Sequence, residues 1–281
     1  MRTLTGRARF AGVMGWPIAH SRSPRLHGFW LAQHNIDGAY LPLPVRPENL
    51  AASLKALPLL GFAGVNITLP HKSAALGLVD RADAQARRIG AVNTIVVGAD
   101  GLLEGRNTDG YGFLEHLKAS APGWKTADGP AVLLGAGGSA RAIAVALLGA
   151  GVPELRIVNR TPRRAAELAA ALGTAARPAD WEERDDMLAG ANLLVNATTL
   201  GMAGQPGLKI DLRHLPRKAI VYDIVYVPLE TPLLAAARAR GHACVDGLGM
   251  LLHQALPGFA AWFGVTPDVS PELREFVLET I

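Results

Sequence analysis

The chain has 281 residues, enough for one large domain or two of ordinary size, and 49% hydrophobic against 19% charged residues is globular composition without a disordered or low-complexity run. The net charge of +4, from 28 Lys and Arg against 24 Asp and Glu, contains no block of like charges, so nucleic acid is not implied as a partner. The single cysteine, Cys244, reads as a buried strand thiol suited to a reducing cytoplasm; Gly15 and Pro17 break the first apolar run and argue against a signal peptide, and no stretch reaches the roughly 18 apolar residues of a membrane span.

In the first part of the chain short β-rich runs alternate with helical patterns. Phe10 to Met14 is followed by a helix from Pro24, Ala39 to Val45 by a helix from Pro47, and Gly64 to Leu69 comes next, a rhythm of βαβ units. Thr94 to Val97 and Leu102 to Glu104, joined by Gly98-Ala-Asp-Gly101, predict a hairpin. A helix near Tyr111 then leads into a second alternating series with the signature of a parallel sheet. Its strands are Ala131 to Leu134, Leu155 to Val158, Asn192 to Asn196, Ala219 to Tyr222 and Ala243 to Val245, with helices from Ser139, Pro162 and Thr231 between them. Two closing helices, Met250 to Phe263 and Pro271 to Leu278, have no strand of their own to cover and are expected to pack on the first part. Ser23-Pro24, Thr161-Pro162, Thr231-Pro232 and Ser270-Pro271 each place a capping hydroxyl before a proline suited to the first helical position.

Ala131-Val-Leu-Leu-Gly-Ala-Gly-Gly-Ser-Ala140 is a strand, a glycine-rich turn and a helix start with Gly135, Gly137 and Ala140 in the G-x-G-x-x-A spacing. Such a turn lets a pyrophosphate approach the backbone at the positive end of a helix, although the same pattern also serves as a plain tight turn. About 20 residues on, where an acidic residue would hold the free ribose of NAD, stand Asn159, Arg160 and Thr161, then Arg163 and Arg164. Arginine there pairs with a 2′-phosphate, so NADP is expected over NAD; Arg160 is the stronger candidate, and Arg163 and Arg164 read equally as an exposed helix face.

Four polar clusters fall at junctions between elements, where active-site groups of an α/β sheet gather: His20-Ser-Arg-Ser-Pro24, Asn66-Ile-Thr-Leu-Pro-His-Lys72, Ala91-Val-Asn-Thr94 and Asn107-Thr-Asp-Gly110. Ser21 and Ser23 together suit a carboxylate at a helix start, or Ser23 is only a cap. Asn93 reads as a ligand or a loop turn, and Asp109 as a ligand or a cap. Lys72 falls in the first turn of a predicted helix, where the dipole disfavours a cation, which singles it out from a solvated surface lysine as a proton-transfer candidate.

Together these segments, with Gly90-Ala-Val-Asn-Thr94, Asn196-Ala-Thr198, Tyr222-Asp-Ile-Val-Tyr226 and Asp246-Gly-Leu-Gly-Met-Leu251, resemble the shikimate dehydrogenase family over nearly the whole chain. The resemblance implies an α/β substrate domain, 1–108, completed by the C-terminal helices, 248–281, and a Rossmann-like NADP domain, 109–247, with reduction of 3-dehydroshikimate in a cleft between them as a step of aromatic amino acid biosynthesis. It makes Lys72 and Asp109 the catalytic residues, Lys72 as proton donor and acceptor and Asp109 positioning it, and assigns Ser21, Ser23 and Tyr226 to the substrate carboxylate and Thr68, Lys72, Asn93, Asp109 and Gln254 to the ring hydroxyls. Gly135, Ala136, Gly137, Gly138 and Ser139 would meet the pyrophosphate, Asn159, Arg160, Thr161 and Arg164 the 2′-phosphate, and Ile224 and Gly247 the nicotinamide. No metal is expected. Small molecules are the expected partners, in a monomer or homodimer. Ala84 departs from a position often acidic in the family and leaves one peripheral cofactor contact in doubt. Two other readings stay open: a relative that oxidises quinate, often with NAD, and a silent NADP-binding regulator, which would not need Lys72 and Asp109.

Overall fold

The computed structural model describes residues 3–279; Met1, Arg2, Thr280 and Ile281, at the ends of the two ranges expected for the substrate domain, lie outside the described residues. The described chain divides into two compact units, one made of residues 3–109 with 251–279, the other of Gly110–Met250.

The first unit runs β1 (Arg9–Gly15), α1 (Ser23–Gln33), β2 (Gly38–Pro44), α2 (Leu50–Leu59), β3 (Phe62–Ile67), α3 (Lys72–Leu76), β4 (Arg81–Ala82), α4 (Ala84–Ile89), β5 (Thr94–Val97) and β6 (Leu103–Arg106). Its sheet has the order β2-β1-β3-β5-β6-β4. The βαβ rhythm holds for β1, β2 and β3, which are parallel, but β5 pairs antiparallel with both β3 and β6, so the sheet is mixed. The expected hairpin accounts for the β5–β6 pair, because its short turn returns the chain beside itself. Because β3 and β6 run one way and β5 the other, the ends of β3 and β6 meet the start of β5 at one sheet edge.

The closing helices complete this unit. They follow α5 (Asp109–Ser120), β7 (Ala131–Leu134), α6 (Gly138–Gly149), β8 (Leu155–Val158), α7 (Pro162–Leu172), β9 (Ala176–Ala179), β10 (Leu193–Asn196), β11 (Ile220–Asp223), α8 (Pro232–Ala239) and β12 (Ala243–Val245), and are α9 (Leu248–Phe263) and α10 (Pro271–Leu278). Trp262 of α9 donates through Nε1 to the Ile95 carbonyl at 2.9 Å. Gly64 makes the approach possible: at φ +154° its Cβ would stand 2.1 Å from the Ile95 oxygen and 2.2 Å from Trp262 Nε1. On the α10 side, Arg25 lies over the Phe276 ring at 3.8 Å.

His27, Trp30, Tyr40, Phe259 and Trp262 form an aromatic cluster in this unit, with the His27 and Tyr40 rings stacked at 3.9 Å. Burial drives the His27 imidazole down to about 3 from its usual 6.5, the Asn66 side chain offsetting part of the shift. The folded chain therefore holds His27 neutral where the unfolded chain takes up a proton. That contribution to stability is complete above about pH 6.5 and is lost as the pH falls toward about 3. A His27→Phe variant is expected to keep its thermal midpoint further into acid than the parent, as melting curves recorded from about pH 4 to pH 7.5 will show.

In the second unit all six strands are parallel, in the order β12-β11-β10-β7-β8-β9. The order reverses between β7 and β10, the switch point at which open α/β sheets bind ligands. Successive residues serve opposite faces: Leu133, Val195 and Tyr222 lie in one buried cluster, and Val132, Leu134, Leu194 and Val221 in the other. Strands buried on both sides are therefore continuous apolar runs, which is how they read in the sequence.

Of the four capping hydroxyls, Thr231 and Ser270 accept from Leu234 N and Leu273 N. Thr161 makes no such bond. Ser23 does not cap either: Arg22 already has helical φ and ψ and is the N-cap, which puts Ser23 inside the first turn of α1. Among the described residues no helix is long and apolar enough to cross a membrane.

Candidate active site

The edge where β3, β5 and β6 meet carries the first polar constellation. Lys72 opens α3, whose five residues give only a small dipole; the stronger neighbour is Asp109, whose Oδ2 accepts from Lys72 Nζ at 2.5 Å. Both side chains are largely withdrawn from water, 15% and 6% exposed, so the pair is less screened than a surface ion pair. Asn93 Nδ2 donates to the other carboxylate oxygen at 2.7 Å. Asp109 is the first residue of α5, and its own N–H donates to Asn107 Oδ1.

Other predicted residues gather around these. Gln254 Oε1 lies 3.4 Å from Asn93 Nδ2, and its main-chain oxygen accepts from the Thr108 hydroxyl. Thr68 continues from the end of β3, its N–H bonded to the Met14 carbonyl and its methyl against the Gly15 backbone. Ser21 Oγ accepts from the Ser23 N–H, and Ser23 itself is buried. Tyr40 stands outside the clusters named from the sequence, and Thr94 and Thr108 lie within them without a role of their own. Their signal is weak, because a tyrosine in a strand and threonines beside strands are ordinary β composition.

The second unit holds the remaining predicted residues. Gly135 follows β7 at φ +111°, and a Cβ there would meet the Ala197 carbonyl oxygen at 3.0 Å, so the turn requires glycine. Gly137 is different. It is the N-cap of α6, with ordinary extended φ and ψ and no side-chain cap, and a Cβ on it would meet nothing within 4 Å. The chain itself gives no reason for glycine at Gly137, whereas a phosphate lying against the start of α6 does. Gly137→Ala is accordingly expected to leave the thermal midpoint unchanged and to raise the KM for a dinucleotide several-fold in steady-state assays.

After β8, Asn159 Nδ2 donates to the Thr161 carbonyl and shapes the turn. Arg163 is paired with Glu167 at 2.7 Å, which makes it part of an exposed helix face. Arg160 and Arg164 are exposed, and their guanidinium groups have no hydrogen-bonding or ionic partner among the described residues, as an anion-binding pair requires. These features fit a 2′-phosphorylated dinucleotide. Ala84 opens α4, and its neighbour Asp83 spends its carboxylate on the Ala86 N–H, so it does not replace the acidic group expected at Ala84.

Ile224 and Tyr226 lie on the segment after β11, anchored by the buried Asp223. Its carboxylate accepts from Asn196 Nδ2 at 3.0 Å, Val225 N at 3.0 Å and Thr231 Oγ1 at 2.7 Å. Burial pushes the Asp223 carboxyl upward, and these hydrogen bonds oppose it. Gly247 packs on the same segment, where a Cβ would stand 2.1 Å from the Ile224 oxygen. Among the described residues no group of three or more His, Cys, Asp or Glu side chains could hold a metal ion.

Residues 13–95 match the shikimate dehydrogenase substrate binding domain, 118–202 the shikimate / quinate 5-dehydrogenase family, and 247–271 the shikimate 5'-dehydrogenase C-terminal domain. The chain belongs to the shikimate dehydrogenase family. It is 62% identical to the shikimate dehydrogenase (NADP(+)) of Paramagnetospirillum magneticum over 98% of this chain and 100% of that one. Among solved structures, shikimate 5-dehydrogenase from Thermus thermophilus in complex with NADP(H) and shikimate is 40% identical, with a TM-score of 0.86 over 97% of this chain and 100% of that one. Quinate dehydrogenase from Corynebacterium glutamicum in complex with NAD is 36% identical, with a TM-score of 0.90 over 97% and 99%.

Proposed function

We propose that this chain catalyses the reversible NADP-dependent reduction of 3-dehydroshikimate to shikimate, with Lys72 moving the proton at the reacting oxygen. The Lys72–Asp109 pair carries this reading, because it sets an ammonium donor with a fixed carboxylate partner among hydroxyl and amide groups suited to a polyhydroxylated ring. NADP, when bound, supplies the hydride donor and acceptor at its nicotinamide.

Asp109 holds Nζ in place; in reduction Lys72 gives a proton to the reacting oxygen, and in the oxidative direction it takes up the hydroxyl proton. Asn93, Thr68 and Gln254 orient the ring hydroxyls, and Ser21 and Ser23 take the carboxylate. Tyr226 is assigned to that carboxylate by resemblance alone. Gly135 to Ser139 hold the pyrophosphate, Arg160 and Arg164 with Asn159 and Thr161 the 2′-phosphate, and Ile224 and Gly247 the nicotinamide. The substrate domain of this reading spans 1–108 with 248–281, and the NADP domain 109–247. We place the reaction in the cytoplasm, in a monomer or homodimer acting on small molecules and not on nucleic acid.

Steady-state oxidation of shikimate and of quinate, each with NADP and with NAD, tests the reading. Shikimate with NADP preferred ten-fold or more, on the order of 1.4 kcal/mol of discrimination, supports it. Preference for quinate or NAD would move the chain toward the quinate dehydrogenases, and binding of NADP without turnover would favour a regulator.

A further inference from the structure

We propose that Tyr40, Asn66 and Thr94 are positioning residues that fix the Asn93 amide, and through it the Asp109 carboxylate beside Lys72, by one directed chain of hydrogen bonds. The inference rests on the proton-transfer role given to Lys72 and Asp109 above.

The direction of every bond follows from the groups at the two ends. Tyr40 has a single proton, which goes to Asn66 Oδ1 at 2.6 Å. Asn66 spends both amide protons within the chain, on the Asn93 carbonyl and on Thr94 Oγ1, each at 3.1 Å. With neither amide proton left over, Asn66 organises its neighbours and has no donor to give a substrate. Thr94, having accepted from Asn66, donates to Asn93 Oδ1 at 3.0 Å, and the Thr108 N–H fills the second acceptor position of that oxygen at 2.8 Å. The Asn93 amide is therefore locked with its NH₂ toward Asp109 Oδ1, and the carboxylate, an acceptor only, ends the chain with Lys72 on its other oxygen.

The surroundings keep the chain in this state. Asn66, Asn93 and Thr94 are all 5% exposed or less, so water does not compete for their bonds. Burial pushes the Tyr40 phenol well above its usual range, and it remains a donor at any working pH. The stack of Tyr40 on His27 holds the phenol in place from behind. Asn66 lies on β3 and Thr94 on β5, in direct register across the antiparallel pair, so the sheet itself brings the two together.

Tyr40→Phe and Thr94→Val remove one hydroxyl each while keeping size and burial. On the full-length enzyme each is expected to lower kcat for shikimate oxidation by about three- to ten-fold, with the KM for NADP unchanged. The double variant should fall no further than the weaker single variant, since either change breaks the same chain. Thr94→Ser should restore turnover. Single variants with parental kcat, fully multiplying effects, or an equal rise in the KM for NADP would each overturn the proposal, the last marking general loosening. Lys72→Ala, measured alongside, separates the two readings. Retained turnover in that variant sinks the role of Lys72 and this proposal with it, whereas its loss beside unaffected Tyr40 and Thr94 variants sinks the proposal alone.

Discussion

Exchange of Lys72 for alanine is expected to reduce kcat for shikimate oxidation by about two to four orders of magnitude, the usual contribution of a positioned acid or base. NADP binding, followed by fluorescence titration, should stay at the parental level, because Lys72 is not among the residues assigned to the dinucleotide. The loss should fall on kcat and kcat/KM together if the group acts in the transition state, and on KM alone if it only holds substrate. Lys72→Ala also leaves Asp109, 4% exposed, without its cation, so a parallel thermal melt is needed to confirm that lost turnover is not lost fold.

The second large effect is expected at Arg160. Its guanidinium is exposed and has no partner among the described residues, so removing it costs the folded protein little. Charge-assisted hydrogen bonds contribute about 1.5–3 kcal/mol, so Arg160→Ala should raise the KM for NADP roughly ten- to hundred-fold and leave the KM for NAD nearly unchanged. Arg163→Ala is the internal control: its bond to Glu167 marks it as surface, and the same assay should scarcely respond. A KM for NADP indifferent to Arg160 would remove that residue's 2′-phosphate assignment.

The α/β fold was legible in the sequence wherever strands are apolar runs bounded by glycine or proline. β7 and β12 form over the residues whose composition announces them. β4 and β9 escaped notice because little local marks them: one is the two residues Arg81–Ala82, the other is Ala-Arg-Pro-Ala, and both exist by pairing with a neighbour already in place. The mixed character of the first sheet also depends on which strands meet, which periodicity does not encode. In the candidate site the residue types were readable as clusters, but the 2.5 Å between Lys72 and Asp109 spans 37 residues of sequence, a distance that only the crossing of β3, β5 and β6 sets. The cap expected at Ser23 is misplaced locally. Ser-Pro suits a helix start, yet Arg22 already takes helical φ and ψ and becomes the N-cap, which moves Ser23 into the first turn.

The bond from Trp262 to Ile95 has a consequence for how the chain is made. It joins residues 167 apart, and the whole of the second unit is synthesised between them. At ribosomal speeds of about 5–20 residues per second, Gly64 and Ile95 wait roughly ten to thirty seconds for the indole that covers them. During that interval the nascent first unit carries an unfinished apolar face, which is where a chaperone would find it.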